Sequence, residues 1–466
     1  MSRNRSALMA VLLLAGCAAP ATRQTVVPVA ARDLGLVTPA PAIGADWWRS
    51  FGDPQLDRLV ADAQGGNPSL DVALARIAQA RAVLSTRRAE DGPDVTLDAQ
   101  AQVARLSGRY TIPPPFGGST RFVGTGLANL DWDLDLFGRQ RAAIRAAGAS
   151  VDAAALDLAA ARLTLAGSVV STYLDLVRAE AQGAIARRTI AARTGSLRLV
   201  DIRIRNRLAS QLDRQAAATL LAQAQAALVR AQGAAALAKN ALAALAGRGV
   251  DYPATIAPTA VRLDAALPLP ATVPADLIAR RPDIAAAQAR IAAAEGAREV
   301  ARRAWYPNVN LAALAGLQAI GIGNLLSLDS GTVGAGPALH LPLFDHGRRR
   351  AELEGAVAAT DLAIADYNDR VVGAVRQAAD GIAQIGALAA ERARQREVVR
   401  GYRETGRLNA IRVSSGLDSR LDLVDNDIRT LDAEQLDADL AADAAQARVR
   451  LALALGGGFA PQESAR

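Results

Sequence analysis

Residues 133–142 read DLDLFGRQRA and residues 341–351 read LPLFDHGRRRA. Each carries alternating apolar residues into Leu-Phe, then a glycine, a basic cluster and a very long alanine-rich stretch. Phe137 and Phe344 stand 207 positions apart. The same local pattern calls for the same local structure, so the chain reads as a tandem duplication. From Ala142 to Asn206 and from Ala351 to Ser414 there is no proline, over 65 and 64 residues. As helices at 1.5 Å per residue these are rods of roughly 98 Å, longer than a compact domain needs.

Each rod ends in a short turn and a returning helix, Gln211–Ala246 and Arg420–Leu455. The turns RNRLASQLD and SSGLDSRLD match at a constant offset of 209, pairing Leu208 with Leu417, Ser210 with Ser419, Leu212 with Leu421 and Asp213 with Asp422. Ser210 with Asp213, and Ser419 with Asp422, have capping-box spacing: a serine oxygen takes an orphan amide and the acid favours the positive end of the helix dipole. Gly247 and Gly456 suit the helix C-termini. Asn67-Pro68 opens one shorter helix; Arg281, Pro282 and Asp283 open its counterpart.

Between each short helix and its rod the period changes from helical to two. In VTLDAQAQV, Val95, Leu97, Ala99, Ala101 and Val103 share one face, with Thr96, Asp98, Gln100 and Gln102 on the other. In FVGTGLANLDWDLDLF, Phe122, Gly124, Gly126, Ala128, Leu130 and Trp132 oppose Thr125, Asn129, Asp131, Asp133 and Asp135. Segments from Asn308 and Thr332 alternate less regularly. These are strands with one apolar and one wet side, forming two hairpins closed by Gly/Pro/Ser-rich loops at 107–119 and 320–331. Four strands leave two free edges and cannot close a cylinder. A membrane barrel therefore needs hairpins from several chains; the alternative is a small soluble sheet. Trp132, Trp305 and Tyr306 near strand ends are candidates for an interfacial girdle.

Composition agrees with close-packed helices: 51% of residues are apolar but only 3% aromatic. The net charge of +7 comes almost wholly from arginine, Lys239 being the only lysine. Arginine and aspartate are interspersed through the helical stretches, without a basic stripe interleaved with aromatics, so no nucleic-acid partner is expected. The N-terminal MSRNRSALMAVLLLAGC has a basic n-region and a short apolar core, the form of an export signal. No later segment offers about 18 consecutive apolar residues, so no helical span is expected. On the second returning helix Leu417, Leu421, Val424, Ile428 and Leu431 step by 4, 3, 4, 3 beside Asp418, Asp422, Asp425, Asp432, Asp439 and Asp443. That is a coiled-coil seam beside an acidic stripe, which is either a solvated face or the lining of a water-filled lumen.

Taken together, Trp47-Trp48 with Phe51, Asp53 and Leu56; Asn67-Pro68; Asp135 to Arg139; Arg281 to Ile284; Tyr306-Pro307; Pro342 to Asp345 with Gly347-Arg348; and the closing Leu453 to Gly457 resemble the TolC-like outer-membrane efflux lipoprotein family over nearly the whole mature chain. The resemblance implies an α+β membrane protein. In it, three chains give a trimeric 12-stranded outer-membrane β-barrel, four strands from each, continuous with a periplasmic α-helical coiled-coil barrel. Leu14 to Cys17 resembles a lipobox, which implies a lipid on Cys17, cleavage before it, and an outer-membrane location in a Gram-negative bacterium. Implied partners are two further copies, a periplasmic adaptor and an inner-membrane pump of the resistance-nodulation-division class. Leu421 and Asp425 match the family's periplasmic gate. Arg207, Leu208, Ser210, Asp213, Gly416, Leu417, Ser419 and Asp422 lie in the turns matching its adaptor contacts. Two positions depart: Arg207 stands where glycine is usual, and Gln288 where glutamate is common.

The expected organisation is a signal peptide (1–16), a lipidated segment with a short helix (17–66), a first repeat (67–247, hairpin 94–136, tip 207–213), a connector (248–274), a second repeat (275–457, hairpin 308–344, tip 415–422) and a tail (458–466). The expected function is a passive efflux duct for drugs or other small toxic compounds, gated at its periplasmic end. A type I protein-secretion duct and a non-channel coiled-coil scaffold are the alternatives. No enzyme is expected and no cofactor beyond the lipid: His340 and His346 are the only histidines, no phosphate loop follows a strand, and the acidic stripe lacks calcium-loop geometry.

Overall fold

The structure is a computed structural model that describes residues 20, 23–36, 43–109, 112–264, 267, 269–274 and 276–459. Cys17, the export signal and the tail beyond Phe459 lie outside these residues.

Helix α1 (Pro54–Gly66) begins where the Asp53 carboxylate accepts the Gln55 amide at 2.9 Å and proline occupies the first turn. Helix α2 (Pro68–Ala89) follows after Asn67, whose side chain accepts the Ser69 amide at 2.9 Å. Then come β1 (Asp94–Arg105), β2 (Thr120–Asp133), the first rod α3 (Arg139–Arg205) and its return α4 (Gln211–Leu245). The second half runs α5 (Pro282–Arg303), β3 (Asn308–Ile320), β4 (Gly331–His340), rod α6 (Arg348–Ser414) and return α7 (Arg420–Ala454). Both rods have 67 residues and both returns 35.

The repeated Leu-Phe does not occupy equivalent places in the two halves. The rods start 209 residues apart, as do Gly138 and Gly347, which adopt φ values of 74° and 87°. Two extra residues, Asp345 and His346, therefore separate Phe344 from its glycine. The capping chemistry compensates. Asp135 accepts the amides of Gln140 and Arg141, both at 2.9 Å, and Asp345 accepts those of Gly347 at 3.1 Å and Arg349 at 3.2 Å. Each carboxylate thus satisfies donors left orphaned at a rod's positive end.

The four strands form one antiparallel sheet in the order β1-β2-β3-β4, so β2 and β3 pair across the repeats. Register makes one face continuous. Val95, Leu97 and Val103 stand opposite Leu130, Ala128 and Phe122; Gly126, Ala128 and Leu130 stand opposite Leu317, Ala315 and Ala313. Those residues in turn oppose Gly331, Val333 and Ala335. The opposite face holds Thr96, Asp98, Asn129, Asp131 and Asn310, with Asn129 donating to Asp98 at 2.8 Å and Asn310 to Asp131 at 3.2 Å. The outer edges of β1 and β4 have no strand partner among the described residues.

The compact units are not the two sequence repeats. One comprises residues 1–28, 76–155 and 286–367; the other 29–75, 156–285 and 368–466. Each draws on both halves of the chain. The first holds the sheet. The core of the second includes Phe51, Leu56, Tyr173, Leu174, Leu242 and Leu451, all fully buried. Within it Tyr173 donates to Asp53 at 2.7 Å, Gln55 donates to Tyr173 at 2.8 Å and to Ala257 O at 3.0 Å, and the Ala260 amide donates to Asp53 at 2.9 Å. Burial beside the Asp53 carboxylate pushes the Tyr173 hydroxyl well above its ordinary pKa. This satisfied network fixes the connector, to which Lys239 also donates, at Ile256 O (2.7 Å).

One helix bears on the expected lack of a helical span. Helix α3 is, by length and composition, apolar enough to cross a membrane. Its apolar residues, Leu165, Val169, Val170, Leu174 and Leu176 among them, are buried in the second unit, so core packing accounts for its hydropathy.

Candidate functional site: helical tips and closing helix

The first tip is a left-handed helix stop. Arg207 takes φ 59°, its amide donates to Ile204 O at 2.9 Å, and the Leu208 amide reaches back to Arg203 O at 2.8 Å. The second tip repeats this with Gly416 at φ 73°, Gly416 N to Val413 O at 3.1 Å and Leu417 N to Arg412 O at 2.9 Å. Both have the paired bonds of a Schellman stop, a position that normally favours glycine. Arginine at 207 therefore leaves the backbone of the tip unchanged.

The capping boxes form as their spacing implies. Asp213 accepts the Ser210 amide at 2.7 Å and Asp422 accepts that of Ser419 at 3.3 Å; each serine oxygen in turn takes the acid's amide at 3.3 Å. The Ser210 amide holds the Asp213 carboxyl below its ordinary pKa. Leu208 and Leu417 are 67% and 68% exposed, leaving an apolar knob at each tip. Arg214 pairs with Asp201 at 3.0 Å beside the first tip, and Arg412 grips Asp418 at 2.6 and 3.0 Å beside the second.

In the first two turns of α7 lie Leu421, half-buried, and Asp425, exposed and paired with Arg429 at 2.9 Å. Asn426 next to them is buried and donates to Tyr402 O of α6 at 3.1 Å. Gly406 makes room for it: a Cβ there would lie 2.6 Å from the Asn426 amide nitrogen. The seam read from the sequence becomes progressively covered, from exposed Leu417 to buried Ile428 and Leu431.

The acidic stripe, by contrast, is not one open face. Asp439 accepts from Gln182 of α3 at 2.8 Å, Asp443 pairs with Arg178, and Gln446 donates to Asp175. Glu434 adds a further rung to Arg188 at 2.6 Å and also binds Arg403 of α6 at 2.7 Å. Partner numbers rise on α3 as they fall on α7, forming an antiparallel polar ladder between helices of different repeats. Burial works against charge on Glu434, yet Arg403 and Arg188 outweigh it and hold the carboxyl below the usual glutamate range. Sequence reading missed the ladder. Its signal was present in the matched four-residue steps Arg178, Gln182 and Asp439, Asp443. Among the described residues no group of three or more His, Cys, Asp or Glu is placed to hold a metal ion.

Comparison with known proteins places this architecture. The outer membrane efflux protein family matches residues 59–248 and 273–457. Outer membrane protein OprJ of Pseudomonas aeruginosa is 32% identical over 464 residues, covering 97% of this chain and 95% of OprJ. Fusaric acid resistance protein FusA of Burkholderia cepacia is 32% identical over 321 residues, covering 67% of this chain but only 60% of FusA. The crystal structure of the outer membrane protein VceC from Vibrio cholerae superposes with a TM-score of 0.82 at 31% identity, covering 90% of this chain and all (100%) of that one. With both repeats matched and the fold shared, the chain belongs to the outer membrane efflux protein family.

Proposed function

We propose that this chain is the outer-membrane channel of a tripartite efflux system, a passive duct through which small toxic compounds handed over in the periplasm leave the cell. The observation that carries this reading is the sheet. Its continuous apolar face is bare along the outer strands, with Leu97 at 75% and Val333 at 84% exposure, and among the described residues both its edges lack strand partners. Such a sheet is a hazard in water. In a bilayer, lipid covers the apolar face and strands of neighbouring copies take the edges, leaving the Asp/Asn/Thr face to water inside. Three copies supply twelve strands in all, from the four of each chain. A lipid on Cys17 adds an anchor.

The rods and their returns form the periplasmic part. At its end the paired tips carry Arg207, Leu208, Ser210, Asp213, Gly416, Leu417, Ser419 and Asp422, a surface suited to a periplasmic adaptor of an inner-membrane pump, of the resistance-nodulation-division class. Leu421 and Asp425 form the gate: around a threefold axis, half-buried leucines make an apolar constriction and aspartates a ring above it. FusA is named for resistance to fusaric acid, but the compound exported here is set by the pump that the duct serves.

Purified protein in planar bilayers is expected to give discrete single-channel conductance; a coiled-coil scaffold would give none. Asp425→Ala is expected to raise conductance and antibiotic entry, and unchanged values for both would defeat the gate assignment. Deletion of the chain is expected to raise sensitivity to small toxic compounds. Loss of a secreted polypeptide with unchanged sensitivity would instead favour a protein-secretion duct.

A further inference from the structure

The loop between β3 and β4 is unlike the loop between β1 and β2. Residues 320–331 read IGIGNLLSLDSG, with three leucines and no proline, whereas 107–119 read SGRYTIPPPFGGS, with three prolines and no leucine; each has one charged residue, Asp329 and Arg109. Ile322, Leu326 and Leu328 are 73%, 90% and 97% exposed, among the most exposed large apolar side chains of the described residues. Because β3 follows directly from α5 and β4 leads to α6, the loop lies at the end of the sheet away from those helices.

Two features bear on what covers these side chains. First, the loop bonds part of its backbone internally. Two short 3-10 turns, Ile322–Asn324 and Leu328–Ser330, carry bonds from Asn324 N to Gly321 O (3.2 Å), Ser327 N to Asn324 O (3.1 Å) and Ser330 N to Ser327 O (3.1 Å). Ser330 Oγ donates to Asn324 O at 2.7 Å, and Asn324 Nδ2 to Ile320 O at 3.2 Å. For the backbone groups they join, these internal bonds lower the cost of leaving water. Second, the loop is folded toward one side of the sheet. A Cβ built on Gly124 would lie 2.9 Å from Leu325 Cδ1 and the same distance from Phe122 Cε1. Gly124 and Phe122 belong to the continuous apolar face, so Leu325 lies against that face.

We infer that the segment Gly321–Gly331 is a membrane-interface wedge, seating Ile322, Leu326 and Leu328 in the acyl region of the outer leaflet around the barrel mouth. The inference rests on the barrel reading above and adds a site to it: the lipid-contacting girdle continues past β3 and β4 into their loop. It also gives each protomer a fixed point at the outer surface.

The test uses the full chain reconstituted in vesicles of phosphatidylethanolamine with phosphatidylglycerol, with nitroxides on single cysteines introduced as Leu326→Cys or Leu328→Cys. Collision rates with oxygen and with a water-soluble nickel chelate report depth. Leu97→Cys on the apolar face and Gln100→Cys on the opposite face serve as references. The expected result is oxygen access exceeding nickel access several-fold at 326 and 328, as at 97, with the reverse at 100. Nickel-accessible labels at 326 and 328 together with a lipid-exposed label at 97 would overturn the wedge and leave the barrel standing. A nickel-accessible label at 97 would overturn the barrel and the wedge with it. Labels at 326 shielded from both reagents, with dipolar broadening between copies, would also overturn the wedge, placing the loops against one another across the mouth.

Discussion

The two tips reach one backbone from different residues, while the helices that return from them diverge in packing. Arg207 and Gly416 occupy the same left-handed stop, though a non-glycine residue there costs about 1 kcal/mol. The matched Schellman bonds and capping boxes are therefore strong enough to impose the turn on an unfavourable residue. Beyond the tips, α4 buries Ala217, Ala224, Ala231 and Ala238 at seven-residue intervals and leaves Val229 and Leu237 exposed. Helix α7 buries Asn426, Ile428, Leu431 and most of its last four turns. Duplication thus preserved the turn, which local chemistry fixes, and released the helix faces to take different neighbours.

The sharpest way to break the comparison is to exchange residues between the hairpins. Gly406 and Asn426 of the second correspond, at the 209 offset, to Leu197 and Ala217 of the first. Gly406→Leu alone is expected to destabilise by about 2–3 kcal/mol, because it drives the Asn426 amide off Tyr402 O and overpacks the interface. Gly406→Leu with Asn426→Ala restores the first hairpin's pair and should recover more than half of that loss. Thermal unfolding of the detergent-solubilised protein reads both; a double variant no better than the single one would show that the two hairpins pack on different principles.

A smaller effect is expected at Glu434, whose counterpart in α4 is Gln225. Glu434→Gln keeps the shape but removes the charge between Arg188 and Arg403, at an expected cost of about 1–2 kcal/mol. Because the folded carboxyl titrates below the usual glutamate range, its stabilisation is present above the unfolded pKa of about 4.3 and is lost as pH falls through the folded value. The difference between wild type and Glu434→Gln should therefore shrink on acidification. Smaller again, Ser210→Ala and Ser419→Ala should each cost about 1 kcal/mol, read as faster amide exchange in the first turns of α4 and α7. Equal losses would uphold the equivalence of the tips. The least change is expected from Arg207→Gly, a gain of under about 1 kcal/mol as left-handed strain is relieved and glycine's extra chain entropy partly offsets it.

Much of this was legible in the sequence because it is local. Ser210 with Asp213, Asn67 before Pro68, and the alternation of Val95, Leu97 and Ala99 each state a structure within a few residues. The same logic failed where equivalence was taken from sequence likeness alone: Leu343-Phe344 repeats Leu136-Phe137 in letters but stands two residues out of step, because Gly138 and Gly347 set the true frame. It failed again on the acidic stripe. Asp439 and Asp443 look like Asp418 and Asp425 along a helix wheel, yet they meet Gln182 and Arg178 on a helix more than 250 residues away in the chain.

By itself the sequence determined the elements: the rods, returns, strands, caps and stops follow from periodicity, backbone sterics and orphan amides, all settled within a few turns of chain. Only the tertiary structure decided which elements meet. The pairing of β2 with β3 across the repeats, the ladder of α3 on α7 and the Asp53–Tyr173–Gln55 clasp on the connector depend on shape and charge matching between distant segments. Such matching is decided when surfaces are brought together, since the local pattern of each segment is compatible with several neighbours.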